Sequence, residues 1–207
     1  MIIKKFKKII IKIGSSTIAD QSSGKINNLW LDSICKDISE LVSAYKKIAV
    51  VSSGAIALGK KLISNQKSLH RLEDKQAAAA IGQIELAKYW QQGLKKYGVH
   101  SGQLLLTLND SEQRRRYLNA RKTITSLHNK RVVPIINEND TVATEEIRYG
   151  DNDRLAARVA QMMGADLLIM LSDIDGLYTS NPNFNKQAKR INNIKMIDEI
   201  IEKMAGK

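Results

Sequence analysis

The 207-residue sequence has one cysteine, two prolines and three histidines. The few cysteines and histidines argue against a disulfide-linked or zinc-binding protein. The single cysteine, Cys35, excludes a disulfide framework; it falls in a predicted helix, where we interpret it as a small core residue rather than a nucleophile. The histidines, His70, His100 and His128, are far apart and lack the spacing of zinc ligands. We therefore expect an ordinary globular protein without a metal site.

The sequence also has no long hydrophobic run. The amino terminus, MIIKKFKKIIIKIGSST, is basic and rich in isoleucine, but Lys12 interrupts any apolar region of signal-peptide length. No stretch approaches the roughly 20 apolar residues of a membrane-spanning helix. We therefore expect a cytoplasmic protein that does not interact with membranes.

Negative charge is scarce relative to positive charge. There are 33 lysines and arginines against 21 aspartates and glutamates, a formal net charge of +12. Such a balance is typical of nucleic-acid-binding proteins, but it also attracts small anions. Because the lysines are spread along the chain and no aromatic RNA-binding motif accompanies them, we expect no specific nucleic-acid partner.

Short apolar runs alternate with amphipathic helical patterns along the chain. The predicted strands are residues 7–13, 48–51, 101–107, 132–136 and 166–171. Three of the main predicted helices are residues 29–45, 75–96 and 197–204. Another is capped by Asp110 and runs to about residue 128, and another begins just after residue 150. This alternation predicts an α/β fold with a largely parallel sheet.

The predicted strands end in small or polar residues, whereas their opposite ends do not. Such residues follow the first, second and fourth strands at 14–17, 52–54 and 137–140, and a second acid-amide cluster at 150–153 opens a helix. Ligands of parallel α/β sheets lie at this edge. One cluster alone favours helix capping and turn chemistry, but two clusters on either side of one loop favour a site.

The residues at this edge suit phosphoryl transfer. There is no Ser-His-Asp set, zinc motif or GxxxxGK[ST] loop, but Lys12 precedes a glycine turn, and Ser53, Asp140, Asn152 and Asp153 lie at other predicted strand and helix ends. Phosphoryl transfer depends mainly on positioning and charge stabilisation. Lys12 would hold the transferred group, Asp153 would fix the lysine, and the other polar groups would bind the acceptor. The alternative is that Lys12 is a solvated residue at a strand end.

Six motifs, in this order, carry a resemblance to a known family: KIGSS, VSSGAIALG, AAIGQ, NENDTV, YGDND and LSDIDGLYTSNP. Over nearly the whole chain the sequence resembles the glutamate 5-kinase group of the amino-acid kinase family. The resemblance implies an αβα three-layer sandwich on a mostly parallel open sheet. It implies transfer of the ATP γ-phosphoryl group to the side-chain carboxylate of L-glutamate, the first step of proline synthesis, with Mg²⁺. It also implies a homo-oligomer and, as in many relatives, inhibition by proline.

The resemblance assigns roles by position. Catalysis is assigned to Lys12, which would support the transition state, and to Asp153, which would organise the catalytic lysines. Glutamate binding is assigned to Ser53, Asp140 and Asn152, and ATP binding to Lys12, Gly14, Ser172 and Asp173.

The sequence departs from the family at its carboxyl end. Family members continue into a GTGGM-type loop that carries a second phosphate-binding lysine, and some add an RNA-binding-like PUA domain, whereas this sequence stops at Lys207. We therefore expect one amino-acid kinase domain over residues 1–207, incomplete at its carboxyl end and without a PUA domain. A natural truncation and a fragment both remain open. The alternative function is a non-catalytic remnant that folds and binds glutamate or partner subunits.

Overall fold

One parallel sheet organises the chain in a computed structural model, which describes residues 2–20, 24–63, 69, 71–142 and 151–204. Its five strands are Lys8–Ile13 (β1), Lys47–Ser52 (β2), His100–Leu106 (β3), Val132–Glu138 (β4) and Leu167–Leu171 (β5). They lie in the order β3-β4-β2-β1-β5, and every neighbouring pair is parallel. All carboxyl ends of the strands therefore meet at one edge of the sheet, as the sequence predicts.

Helices cover both faces of this sheet. They are Ser15–Ile18 (α1), Asn28–Ser43 (α2), Ala55–Ile63 (α3), Leu72–Lys96 (α4), Leu108–Glu112 (α5), Arg114–Asn129 (α6) and Asp151–Met163 (α7). Another helix, Glu199–Met204 (α8), comes later in the chain. One hydrophobic core joins the sheet to α2, α3 and α4, and a second joins the opposite face to α6 and α7. The predicted α/β fold, with a parallel sheet between helical layers, is confirmed.

The two cores follow from the period of two along each strand. In β1, the side chains of Ile9, Ile11 and Ile13 belong to the core under α2 and α4, whereas Ile10 belongs to the core under α6 and α7. Because residues two apart share a face, Lys12 has the orientation of Ile10. The sequence pattern therefore directs this lysine toward the α7 side of the sheet.

Helices α3 and α4 cross at unusually close range. A Cβ atom added to Gly59 would overlap with the carbonyl group of Ala78, and one added to Gly82 would overlap with that of Ala55. The sequence predicts a close approach over residues 77–80, and two of the four alanines, at 78 and 79, are indeed buried. The crossing fixes the first turn of α3, which directly follows the carboxyl end of β2.

The predicted helix capped by Asp110 is wrong. Two helices occupy this region, because Gln113 has an extended backbone (φ −76°, ψ 112°) that separates α5 from α6. The cap of α5 is Thr107, whose hydroxyl accepts a hydrogen bond from the Asp110 N–H, while the Asp110 carboxylate accepts one from the Thr107 N–H. Asp110 therefore lies inside a capping box rather than at its start.

The chain divides into two compact units, Met1–Ser172 and Asp173–Lys207. The first contains the sheet. In the second, Tyr178 and Arg190 form an isolated antiparallel bridge, and the Arg190 guanidinium lies 2.9 Å from the Asp175 carboxylate. The prediction of a single domain over residues 1–207 stays a prediction. Within the described residues, no helix has the length and apolar character needed to cross a membrane.

Candidate active site

Three strand ends converge at the carboxyl edge of the sheet, and backbone hydrogen bonds continue the pairing beyond the strands themselves. The Gly14 N–H donates to the carbonyl oxygen of Leu171 at 3.0 Å, and the Ser53 N–H donates to that of Ile13 at 3.0 Å. These bonds hold the turns after β1 and β2 side by side. The predicted functional edge is therefore a continuous surface built from turns that are distant in sequence.

An ion pair between a buried lysine and a partly exposed aspartate lies at the centre of this edge. The Lys12 ammonium lies 2.5 Å from the Asp153 carboxylate, and Lys12 as a whole is only 7% exposed. Asp153 lies in the first turn of α7, where the helix dipole favours a negative charge. At Gly14, a Cβ atom would come within 3.7 Å of the lysine nitrogen. The missing side chain at that glycine leaves the ammonium group facing an open backbone turn, which suits contact with an anion.

A chain of amide and hydroxyl groups lies beside the ion pair. The Asn152 side-chain nitrogen donates to the hydroxyl of Ser53 at 2.6 Å and to the side-chain oxygen of Asn137 at 3.0 Å. The Asn137 nitrogen in turn donates to the side-chain oxygen of Gln83 at 2.7 Å. Asn152 and Asp153 are consecutive, so the first turn of α7 joins this amide chain to the lysine.

The turn after β2 places Ser53 at the edge. Gly54 has φ +114°, a backbone conformation that favours glycine, and it allows the chain to turn sharply into α3. The preceding residue, Ser52, points into the core instead, where its hydroxyl accepts a 3.0 Å hydrogen bond from the indole N–H of Trp90. Ser52 and Trp90 are both fully buried, so packing in the core holds the residue that precedes the turn.

Asp140 is the other acidic residue of the predicted site. It follows β4 by two residues and is only 8% exposed, and it has an interaction partner within the protein. The next residue, Thr141, donates from its hydroxyl to the Asn139 side chain at 2.6 Å, which closes a tight polar turn. A buried carboxylate at a strand end suits binding of a cationic group, such as an ammonium.

The structure brings together Lys12 with Asp153 and Ser53 with Asn152; the roles assigned to them by position stay predictions. Ser172 directly follows β5, and Asp173 begins the second unit; their predicted role in nucleotide binding stays a prediction. Residues 143–150, which include the glycine of the YGDND motif, lie outside the described residues, as does the side chain of Asp151.

Two members of the amide chain were missed by the sequence analysis as individual site residues. Asn137 lies in the predicted cluster 137–140, but nothing in the sequence pairs it with Asn152. Gln83 is part of the AAIGQ motif, and what could have identified it in the sequence is that a polar residue occupies the buried face of a predicted helix, α4.

Cys35 is fully buried, and burial raises the pKa of its thiol to about 12, as expected of a core residue. Across the described ranges, no three His, Cys, Asp or Glu residues gather as metal ligands.

Comparisons with known proteins agree with this geometry. A family model described as "Amino acid kinase family" matches residues 7–206. The chain is 53% identical over 204 residues to a glutamate 5-kinase of Nitrobacter hamburgensis, covering 99% of this chain and 54% of the relative. It is 56% identical over 201 residues to one of Allorhizobium ampelinum, covering 97% of this chain and 51% of the relative. The chain thus spans about half the length of the curated relatives it matches.

A solved structure shares the fold at much lower sequence identity. The crystal structure of UMP kinase from Bacillus anthracis matches with a TM-score of 0.57 and 17% identity, over 97% of this chain and 83% of that one. Similarity at this level of identity supports the architecture alone, and it agrees with the parallel sheet and its helical layers.

Proposed function

Because this chain belongs to the amino acid kinase family, we propose that it acts in the reaction for which its relatives are named, that of glutamate 5-kinase. ATP would give its γ-phosphoryl group to the side-chain carboxylate of L-glutamate, with ADP and glutamyl 5-phosphate as products. The identity of 53–56% over nearly the whole chain supports this assignment. The same proposal includes three further points. The reaction is the first step of proline synthesis, ATP is the phosphoryl donor, and the protein is cytoplasmic.

The observation that carries the proposal is the ion pair of the buried Lys12 with Asp153, beside the turn at Gly14. Phosphoryl transfer requires a cation at the place where charge develops on the transferred group. A lysine held by one carboxylate in a largely water-excluded position is already oriented before the reaction begins. Lys12 would neutralise the γ-phosphoryl oxygens, and Asp153 would keep its ammonium group in place.

The acceptor would lie against Ser53, Asn152 and Asp140. The buried carboxylate of Asp140 would pair with the ammonium group of L-glutamate. The Ser53 hydroxyl, whose oxygen accepts from Asn152, would donate to a carboxylate of the substrate. The side-chain carboxylate of glutamate has a pKa of about 4.3, so it is ionised at neutral pH. Its oxygen attacks the γ-phosphorus while the bond to the ADP oxygen breaks. The nucleophile is already an anion, and the reaction needs no general base.

Mg²⁺ would reach the site bound to the ATP phosphates. The ion usually keeps several waters and takes one or two protein carboxylates besides phosphate oxygens. Asp153, whose side chain is 43% exposed, fits this requirement. Inhibition by L-proline and self-association into a homo-oligomer remain predictions from the family resemblance.

Calorimetry and a trapping assay on the purified chain test the proposal. We expect L-glutamate to bind, and Asp140→Asn to weaken that binding at least tenfold without changing MgATP binding. With MgATP, L-glutamate and hydroxylamine, the acyl phosphate would be trapped as a hydroxamate. Lys12→Met should lower hydroxamate formation about 10²–10³-fold, with Lys88→Met, at an exposed lysine of α4, as the control.

The outcomes separate the proposal from its alternative. Absence of any L-glutamate binding by the wild-type chain contradicts the proposed function. Binding of L-glutamate without hydroxamate formation identifies a glutamate-binding protein that lacks catalysis. Equal hydroxamate formation by wild type and Lys12→Met shows that another group performs the role given to this lysine.

A further inference from the structure

The amide chain beside the ion pair has two ends that find no hydrogen-bond partner. Within the described residues, the side-chain nitrogen of Gln83 and the side-chain oxygen of Asn152 are both buried and unpaired. Gln83 is only 9% exposed. Buried polar groups are paired in the great majority of proteins, so two exceptions at opposite ends of one chain indicate a functional arrangement.

The hydrogen bonds between the three amides all run in one direction, and the amides could reverse it only together. Asn152 uses its NH₂ group for both Ser53 and Asn137, so its oxygen is turned away from them. Asn137 accepts from Asn152 with its oxygen and must therefore donate to Gln83 with its nitrogen. Gln83 receives that bond with its oxygen, which leaves its own nitrogen as the unpaired donor. A flip of any one amide would place two oxygens or two nitrogens against each other.

The position of Gln83 is itself fixed by the helix crossing. Its neighbour Gly82 lies against the carbonyl group of Ala55, the first residue of α3. The same first turn of α3 follows Ser53 and Gly54. Because the glycine allows α4 to pack directly onto this turn, the Gln83 side chain reaches Asn137 at the end of β4.

We propose that Gln83 is a positioning residue of the acceptor site. By accepting the hydrogen bond from Asn137, it holds the amide chain in the observed direction, in which the Asn152 oxygen is left available as an acceptor. That oxygen would receive a hydrogen bond from the ammonium group of the bound amino acid. The buried nitrogen of Gln83 has no partner in this arrangement and therefore lowers the stability of the folded state. The inference rests on the proposed function for the identity of the ligand, but not for the direction of the amide chain.

The test compares two substitutions at this position. Gln83→Met keeps the length and removes the acceptor, so Asn137 and Asn152 lose their fixed direction. Gln83→Glu keeps an oxygen toward Asn137. The matched control is Gln91→Met, at an exposed glutamine of the same helix. We measure the affinity for L-glutamate and for glutarate, which lacks the ammonium group, together with the thermal midpoint of unfolding.

We expect Gln83→Met to weaken L-glutamate binding about tenfold and to leave glutarate binding nearly unchanged, so that the preference for the amino acid shrinks. Gln83→Glu should retain most of that preference, and Gln91→Met all of it. The midpoint of Gln83→Met should change little, because the substitution removes one unpaired buried donor, the Gln83 nitrogen, and takes the acceptor from another, the Asn137 nitrogen. An unchanged ratio of the two affinities in Gln83→Met overturns the proposal, as does a loss of affinity for both ligands in proportion to lost stability.

A second readout does not depend on glutamate. In ¹⁵N NMR spectra of the unliganded protein, the side-chain NH₂ signals of Asn137 and Asn152 should shift in Gln83→Met and stay in place in Gln91→Met. If the signals shift in Gln83→Met but the wild-type protein does not bind L-glutamate, the positioning role is left intact and the proposed function is refuted. Signals that do not move would refute the positioning role, whatever the protein binds.

Discussion

At the residue scale, one histidine has a lowered pKa near the amino-terminal edge of the sheet, at the opposite edge from the site. His128 lies in the last turn of α6, and its Nε2 atom lies 2.9 Å from the carbonyl oxygen of Ile48. Burial is the main cause that lowers the pKa of this imidazole, and the positive charges of Lys47 and Lys8 add to it, outweighing the hydrogen bond to Ile48. A helix carboxyl terminus ordinarily favours a cation, but here burial dominates.

This lowered pKa makes stability depend on pH. The unfolded chain takes up the proton near pH 6.5, whereas the folded protein resists it to lower pH. The contribution of neutral His128 is therefore fully present above about pH 6.5 and is lost as the pH falls through the folded pKa. We expect the free energy of unfolding in urea to be smaller at pH 5.5 than at pH 7.5. His128→Gln should reduce this difference, and His100→Gln, at an exposed histidine, should not. The same pH difference in His128→Gln as in wild type would contradict the assignment.

The residues that sequence reasoning identifies are those whose signal is local. Lys12 and Gly14 are two positions apart, so a cation beside a glycine turn is visible in the sequence itself. Gln83 and Asn137 are 54 positions apart, and their hydrogen bond exists only because α4 crosses α3 and β4 lies next to β2. A buried glutamine in a helical pattern does not reveal its partner.

At the scale of elements, the crossing of α3 and α4 leaves no room for a side chain. We expect Gly82→Ala to lower the free energy of unfolding by about 1–3 kcal/mol, the usual effect of overpacking, although alanine favours a helix over glycine by about 1 kcal/mol. The atoms it would meet are the backbone of Ala55, which cannot rotate away. Denaturation in urea measures the difference.

A second glycine of the same helix provides the control. At Gly93, an added Cβ atom would come within 2.7 Å of the Cys35 sulfur, the terminal atom of a side chain that can change rotamer. Gly93→Ala gains the same helix propensity, so we expect it to be close to wild type in stability. Equal destabilisation by the two substitutions would show that the backbone contact at Gly82 has no special effect.

Element boundaries show where local patterns fail. The strands agree with their predicted ranges within two residues at either end, because apolar runs bounded by polar turns leave little ambiguity. The sequence predicts one helix from a cap at Asp110 to about residue 128, yet Gln113 interrupts it. The capping box of Thr107 and Asp110 and the 2.9 Å ion pair of Asp110 with Arg116 stabilise that break. Such an arrangement depends on side-chain geometry that a periodic pattern does not contain.

At the scale of the whole molecule, part of the positive charge is gathered rather than dispersed. Lys8 and Lys47 are directly paired at the amino-terminal ends of β1 and β2. The preceding residue, Lys46, donates to the carbonyl oxygen of Phe6 at 2.5 Å. Lysines that are distant in sequence therefore become neighbours at the edge of the sheet opposite to the candidate site, an arrangement that only the fold reveals.

This grouping predicts weak binding of nucleic acid through phosphate contacts alone. We expect affinity for duplex DNA or RNA to fall linearly with salt on logarithmic axes and to be lost at moderate ionic strength. Lys47→Glu should make the slope of the logarithm of affinity against the logarithm of salt concentration shallower by about one. Lys88→Glu, on α4, should leave that slope unchanged. Fluorescence anisotropy at several salt concentrations measures both. Sequence-selective nanomolar binding at physiological salt would contradict this expectation.

The contact between α3 and α4 has a consequence in genetic terms. Every single-base change that alters the meaning of a glycine codon gives either a stop codon or a residue with a Cβ atom. At Gly59 and Gly82, each of those residues would push one helix away from the other. Such a shift would carry Gln83 away from Asn137. Missense changes at these two glycine codons should therefore act on the amide chain through helix packing.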